Sequence, residues 1–247
     1  MKLKETFRTI PQHYDRSRIG YPLAVFSDVI SYAWLQKTDP ILEVGAGTGI
    51  ATVPFARTGN PLIVNDLSRS LLSVAKKKLK HYHNVQYAVG QYEDARLPKN
   101  YFALITSAQA FHWIKPSIRF TRTLQLLKKG GVVALFWNFS YYNKGVGRMA
   151  MRLHKKYARS QDGKANIIID QLKRNRHFTG AVLKIYRRNL HMTKQEYINM
   201  QTSFSWYLAL SETRKRQALA ELKDGLKRFP DRMPMPIKTK LILARKK

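Results

Sequence analysis

The stretch Ile41-Leu42-Glu43-Val44-Gly45-Ala46-Gly47-Thr48-Gly49 decides the fold of this chain. An apolar run that ends in an acid and a glycine-rich turn is how a nucleotide-binding β-α unit opens. The apolar residues suit a buried parallel strand, and the glycines let the backbone turn sharply and approach a ligand at the following helix N-terminus. A second apolar run, Pro61-Leu62-Ile63-Val64-Asn65-Asp66, places a carboxylate about twenty residues downstream, where ribose hydroxyls would be received. The spacing is G-x-G-x-G and not the G-x-G-x-x-G of dinucleotide sites, which disfavours NAD. The lysine and longer loop of a triphosphate-binding P-loop are also missing.

Outward from this unit, strands and helices alternate. Val25, Phe26, Val29, Ile30, Ala33 and Trp34 recur at helical spacing and predict a helix from Leu23 to about Leu35. Strand one is Ile41 to Val44, followed by a helix from about Ile50 to Ala56. Strand two ends at Asp66, and Ser68 is placed to cap a helix that turns Leu71, Leu72 and Ala75 inward and Lys76, Lys77, Lys78 and Lys80 to water. Strands three, four and five read as Val85 to Val89, Phe102 to Ser107 and Val132 to Trp137, the last after a Gly130-Gly131 turn. Tyr141 to about Arg176 reads as helical and basic. Val182 to Leu190 reads as strand six, Thr193 to Met200 and Ser211 to Arg228 as helices, and Ile237 to Ala244 as a final strand. This rhythm predicts an α/β fold, Rossmann-like and doubly wound, with a mostly parallel seven-stranded sheet, a helical cap insertion, and ligand at the carboxyl ends of the strands.

A chain of 247 residues without an obvious linker suits one domain. Its expected parts are an N-terminal flap and helix (1–37), a cofactor-binding core (38–140), a helical cap (141–180) and a C-terminal completion of the sheet (181–247). No run approaches the roughly eighteen apolar residues of a membrane span, and the first residues lack an apolar signal core, so a cytoplasmic location is expected. The absence of cysteine excludes a disulfide scaffold, a thiolate zinc site and a cysteine nucleophile. Seven scattered histidines predict no metal site. The formal charge is +30, and residues 141–247 hold 26 Lys and Arg against 7 Asp and Glu. A field of that sign attracts RNA, anionic lipid or an acidic small substrate. The charges are dispersed, so a nucleic-acid partner is possible but not favoured. Composition leaves the oligomeric state open.

Glu43 through Gly49 resembles the E/D-x-G-x-G-x-G motif of class I S-adenosylmethionine-dependent methyltransferases. The resemblance implies S-adenosyl-L-methionine as cofactor, with Glu43, Gly45, Ala46, Gly47, Thr48 and Gly49 in the turn that binds it and Asp66 and Leu67 at the ribose. The loop Gly90-Gln91-Tyr92-Glu93-Asp94 matches the family's adenine-contact loop, which nominates Gln91, Tyr92 and Glu93; Gln91 stands where an acid or asparagine is frequent. Thr106-Ser107-Ala108-Gln109-Ala110-Phe111-His112-Trp113 resembles the S-x-Q-A-x-H-W segment of the type 11, ubiquinone-biosynthesis-like group. It places Ser107 and Gln109 at the cofactor's methionine end and His112 near the methyl group as a candidate catalytic base, with packing beneath the cofactor as its other reading. Tyr14, Arg18 and Tyr21 match an N-terminal Y-D-x-x-R-P-x-Y-P pattern resembling a flap, with Ile19 in place of the proline. There Tyr14 would meet the sulfonium through its ring face and Arg18 would pair with the methionine carboxylate. Ala103 departs from the aspartate common at the start of strand four. Phe204-Ser205-Trp206-Tyr207-Leu208-Ala209-Leu210 is similar to the family's C-terminal S-W-x-x-x-L segment. An Asn/Asp-Pro-Pro-Tyr signature of nucleic-acid amino-methylating enzymes is missing. The resemblance thus implies a methyltransferase acting on a small-molecule acceptor, with an RNA methyltransferase, or a basic nucleic-acid-binding protein on an inactive fold, as alternatives.

Overall fold

The computed structural model describes residues 11–140, 145–157 and 164–247. The first ten residues of the expected flap and positions 141–144 and 158–163 of the expected cap lie outside the described residues. Seven strands form one sheet: β1 (Ile41–Val44), β2 (Leu62–Asp66), β3 (Val85–Val89), β4 (Phe102–Ala108), β5 (Leu127–Ser140), β6 (Phe178–Thr193) and β7 (Arg232–Lys246). Their order is β3-β2-β1-β4-β5-β7-β6. Pairing from β3 through β5 is parallel, with Val44 beside Asn65, Asp66 beside Val89, and Glu43 beside Thr106. The strand order reverses at β1, between β2 and β4, which puts a crevice at the carboxyl ends of these strands.

The chain divides into two compact units. The larger comprises Gly20–Trp137, Lys164–Tyr186 and Thr239–Lys247; the smaller comprises Met1–Ile19, Asn138–Gly163 and Arg187–Lys238. The core of the larger unit joins Val25, Phe26 and Val29 of α2 (Leu23–Ala33), Phe55 of α3 (Thr52–Ala56), Leu72 and Ala75 of α4 (Arg69–Lys78), and strand residues Ile41, Leu62, Val64, Leu104, Phe136 and Leu241. Continuous apolar runs in β1 and β4 follow from burial on both faces. The smaller unit has its own core. Val146, Ala150 and Leu153 of α6 (Gly145–Tyr157) pack with Tyr197 and Met200 of α8 (Lys194–Thr202) and with Ala218 and Leu222 of the helix Glu212–Leu226. A capping box between Thr193 and Glu196 starts α8.

Several boundaries differ from the sequence reading. The helix expected to run to about Leu35 stops at Ala33, because Trp34 adopts a left-handed conformation (φ 51°) and its amide returns to the last turn. The helix expected from Ile50 begins at Thr52, after a turn in which Gly45, Gly47 and Gly49 all have positive φ. Gly130-Gly131 does not precede strand five but lies inside β5. The pairing partner of Phe102 is Leu127 while that of Leu104 is Val132, so the extra residues form a bulge. Gly131 is required there, since a Cβ would stand 2.8 Å from the Phe102 carbonyl oxygen. β6 and β7 are longer than expected. In β7 buried Met233, Met235 and Ile237 alternate with exposed Pro234 and Pro236, so the prolines occupy the outward face. The two helices expected as one cap, α6 and α7 (Lys164–Arg174), fall in different units.

Candidate functional site

The glycine turn is fastened to its neighbours on both sides. The amides of Gly45 and Ala46 donate to the carbonyl of Asn65 at 2.8 and 3.1 Å. The Asn65 side-chain amide donates in turn to the carbonyls of Ala88 and Gly90, so one buried residue ties the ends of β1, β2 and β3 together. Gly45 has φ +70°, and a Cβ there would lie 2.3 Å from Cβ of Ala110. The turn and the segment after β4 therefore meet at the smallest possible side chain.

Asp66 is positioned by backbone donors. The Gly47 amide donates to its Oδ2 at 2.8 Å and the Ser68 amide to its Oδ1 at 2.7 Å. Ser68 then caps α4 by accepting from the Leu71 amide. Asp66 is thus aimed by the turn itself. Leu67 follows it, half-buried.

Glu43 is buried on β1, 1% exposed, and neither carboxyl oxygen has a hydrogen-bond partner among the described residues. Burial pushes its carboxyl up from 4.5 to about 8; the nearby Thr52 hydroxyl opposes the rise and the Asp66 charge adds to it. The hydroxyls of Thr48, Thr52 and Thr106 are also buried without hydrogen bonds among the described residues. Unsatisfied buried polar atoms are costly and scarce in proteins, and here four residues at and beneath one turn carry them. Ala46, Gly47, Thr48 and Gly49 are buried.

The segments after β3 and β4 sort the remaining candidates. Tyr92 is buried and its hydroxyl pairs with Thr123 at 3.0 Å; burial raises its phenol above the ordinary value. Its hydroxyl commits the ring to α5 (Arg119–Leu126). Gln91 is exposed, and Glu93 accepts from the Lys115 amide at 3.3 Å. Ser107 is fully buried and donates to the Val44 carbonyl at 2.7 Å, bridging β4 to β1. Gln109 leaves β4 at φ 57°, a conformation uncommon for a residue with a side chain. It turns the chain into the short 3-10 helix Phe111–Trp113 that carries His112. The His112 ring lies 4.8 Å from that of Trp113, and its Nδ1 accepts from the Trp137 indole at 3.4 Å.

Tyr14 lies in the smaller unit, on α1 (Pro11–Ser17). The Arg18 guanidinium stacks between Tyr14 and Phe204, 4.4 Å from each ring centroid, and donates to the Ser203 carbonyl at 2.8 Å. Two residues that organise the site were not singled out as site residues from the sequence. Asn65 is a polar residue inside an otherwise apolar strand, which is the signal that would have found it. Trp137 belongs to the Phe136-Trp137-Asn138-Phe139 run, which reads as pocket lining, and its partner is not visible in the spacing.

The sequence profile of a family described as a methyltransferase domain matches residues 42–135, the span from β1 into β5. A Dictyostelium discoideum protein named as a methyltransferase is 25% identical over 232 residues, covering 91% of this chain and 86% of that protein. Among solved structures, a type II methyltransferase from Anaeromyxobacter dehalogenans superposes with a TM-score of 0.67 at 18% identity, covering 93% of this chain and 97% of that one. Phosphoethanolamine N-methyltransferase 2 of Haemonchus contortus, solved with phosphomonomethylethanolamine and S-adenosylhomocysteine, superposes with a TM-score of 0.56 at 17% identity, covering 100% of this chain and 60% of that one.

Proposed function

We propose that this chain is a class I S-adenosylmethionine-dependent methyltransferase that methylates a small molecule, a reading supported by the family and the relatives it matches. The residues present fit the cofactor. The glycine turn offers backbone at close range, Asp66 is held by two backbone amides where ribose hydroxyls would be received, and the buried acid Glu43, protonated near neutral pH in the free protein, is drawn toward its carboxylate form by a ligand that carries a sulfonium and an ammonium. When bound, S-adenosyl-L-methionine supplies an electrophilic methyl group. The protein's own part is to hold the two reactants in line and keep water away, which can account for most of the rate. Gly45, Gly47 and Asp66 are assigned to holding, with Gln91 and Glu93 at the adenine, Gln109 at the methionine end and His112 facing the acceptor.

The observation that best supports a small acceptor is the seat of His112. The ring lies against Trp113 and is bonded to the Trp137 indole, and the fully buried Phe111 precedes it in the chain. Such an aromatic seat with one polar group suits a small ligand. The +30 charge favours RNA as a second reading. Methyl-labelled S-adenosylmethionine, incubated with the enzyme and either a deproteinised metabolite extract or total RNA, separates the two. Label in the metabolite fraction is expected. Label confined to RNA would replace this reading with the second.

A further inference from the structure

We propose that the larger unit carries a second ligand site, at the end of the sheet opposite the glycine turn, and that this site takes a nucleoside monophosphate. It is a cavity of about 540 Å³ walled by α5, by the loop before β4, by the segment between α7 and β6, and by the end of β7. A cavity of that size matches a small organic ligand and exceeds what an inorganic ion fills. All of its walls belong to the larger unit.

Hydrogen bonds fix these walls. The Asn100 and Tyr101 amides donate to the carbonyls of Gln125 and Leu126 at 2.8 and 2.9 Å, which sets the loop before β4 against the end of α5. Asn100 sits there at φ 49°, a left-handed conformation that few residues with side chains adopt. The Lys247 amide donates to the His177 carbonyl at 3.1 Å, and the His177 amide to Asn175 Oδ1 at 3.0 Å. The Lys246 ammonium donates to Asn100 Oδ1 and to the carbonyls of Leu124 and Leu127 at 3.1, 2.6 and 2.7 Å. Its three N–H groups are thereby used, and it leaves a fixed positive charge in the wall.

The chemistry of the wall selects the ligand. Among the described residues no Asp or Glu side chain lines the cavity, whereas Lys99, Lys246 and Lys247 do. Lys99 and Lys247 are exposed, and neither ammonium has a hydrogen-bond or ion-pair partner among the described residues. A carboxyl group on Lys247 would cancel one charge and leave the balance positive. Two such ammoniums beside a fixed third charge suit a phosphate monoester, to which each new hydrogen bond is charge-assisted. α5 adds two rows of side chains. Phe120 and Leu124 stand one helical turn apart, as do Thr121 and Gln125, so an apolar row runs beside a polar one. Phe120 is held by Phe111 and Phe178, with ring centroids 5.7 and 6.2 Å away. A flat ring can lie on the apolar row while its edge meets the Thr121 hydroxyl and the Gln125 amide. A nucleoside monophosphate combines the phosphate, the flat ring and the polar edge.

Calorimetry with uridine monophosphate tests this on the full-length protein. S-adenosylhomocysteine is kept saturating so that the cofactor site is filled, and salt at about 0.15 M screens the general field of the chain. One site is expected, with uridine and inorganic phosphate each binding about tenfold more weakly or worse, since each lacks part of the recognised chemistry. Lys99→Glu combined with Lys247→Glu should weaken uridine monophosphate about tenfold or more, with S-adenosylhomocysteine affinity and the urea midpoint unchanged. Lys77→Glu combined with Lys80→Glu, the same change of charge at exposed positions elsewhere in the unit, should leave the nucleotide's affinity as it was. No binding, binding retained in the Lys99 and Lys247 variant, or equal weakening in both variants overturns the proposal, the last by assigning the attraction to net charge. Inorganic phosphate bound as tightly as the nucleotide overturns it as well. The comparison of the three ligands uses the unmodified protein and decides by itself if a variant fails to fold.

Discussion

Replacing Glu43 by Gln should make the cofactor-free protein relatively more stable as pH rises. Glu43 is buried with no hydrogen-bond partner among the described residues, and burial lifts its carboxyl from 4.5 to about 8. Between those two values the folded state holds a proton that the unfolded chain has released. Stability from this group is therefore fully present below about 4.5 and lost as pH rises through about 8. At about 1.36 kcal/mol per unit, the whole loss is on the order of 5 kcal/mol, of which about 2 is already gone at pH 6. About 2 to 3 kcal/mol remains to be lost between pH 6 and pH 9. Gln has nearly the same shape and does not titrate, so its cost as a buried amide is the same at every pH.

The assay is urea unfolding of both proteins at several pH values without cofactor. Titration of every other group cancels in the difference between them. That difference should shift in favour of Glu43→Gln by about 2 to 3 kcal/mol from pH 6 to pH 9. Two curves that stay parallel within about 0.5 kcal/mol would refute the reasoning, because they would mean that Glu43 is solvated or paired in the folded protein.

A cation bound beside the turn draws Glu43 toward its carboxylate form, so S-adenosylmethionine binding near pH 7 should release a fraction of a proton. Calorimetry in buffers of different ionisation enthalpy reads this directly, and the release should vanish in Glu43→Gln. Gly45→Ala combines a left-handed backbone with a Cβ 2.3 Å from Ala110; it should lower stability by about 2 to 5 kcal/mol, and an unchanged urea midpoint would deny the close contact. Asp66→Ala should weaken S-adenosylmethionine binding by about 1 to 3 kcal/mol in a folded variant, and unaltered affinity would remove Asp66 from the ribose position. Nonspecific RNA binding should fall steeply with added salt and vary little between unrelated sequences, whereas one RNA held tightly at physiological salt would point to a dedicated nucleic-acid substrate.

How much of this was legible depended on whether the information was local. β1, β2 and the turn between them are visible because an apolar run, a glycine pattern and a terminal acid each require only neighbours in sequence. Gly130-Gly131 reads in the sequence as a turn before a strand and is a bulge within one; both structures ask for the same residues, and only the register of the partner strand tells them apart. Pro234 and Pro236 hid the first half of β7, since prolines read as strand breakers until their alternation with buried Met233 and Met235 is seen. Among the site candidates, Ser107 and Tyr92 have polar groups whose partners, Val44 and Thr123, lie far away in the chain. Spacing marks both as polar positions near strand ends and says nothing about which way the side chain is committed. The same applies to Trp137, whose importance rests on His112, 25 residues earlier.

The two ends of the parallel strands treat buried polar groups differently, and that asymmetry is itself a functional signal. At the amino ends, the Asn60 side-chain amide donates to the carbonyls of Gln36 and Asp39, and that of Asn84 to those of Ala56 and Asn60. Lys128 pairs with Asp39, and Lys246 donates to Asn100 and to the carbonyls of Leu124 and Leu127. Polar groups there act as fasteners. Toward the carboxyl ends, among the described residues, lie an unpaired buried acid at Glu43, hydroxyls without partners at Thr48 and Thr52, and a left-handed Gln109 next to the tight Gly45–Ala110 contact. Each of these lowers stability by an amount on the order of 1 kcal/mol or more. Nothing in the packing of the strands requires them, since the same strands satisfy their polar groups at the other end. Among the described residues, every buried side-chain oxygen without a hydrogen bond lies at or beneath this one turn, the pattern expected where a ligand as well as folding has shaped the chain.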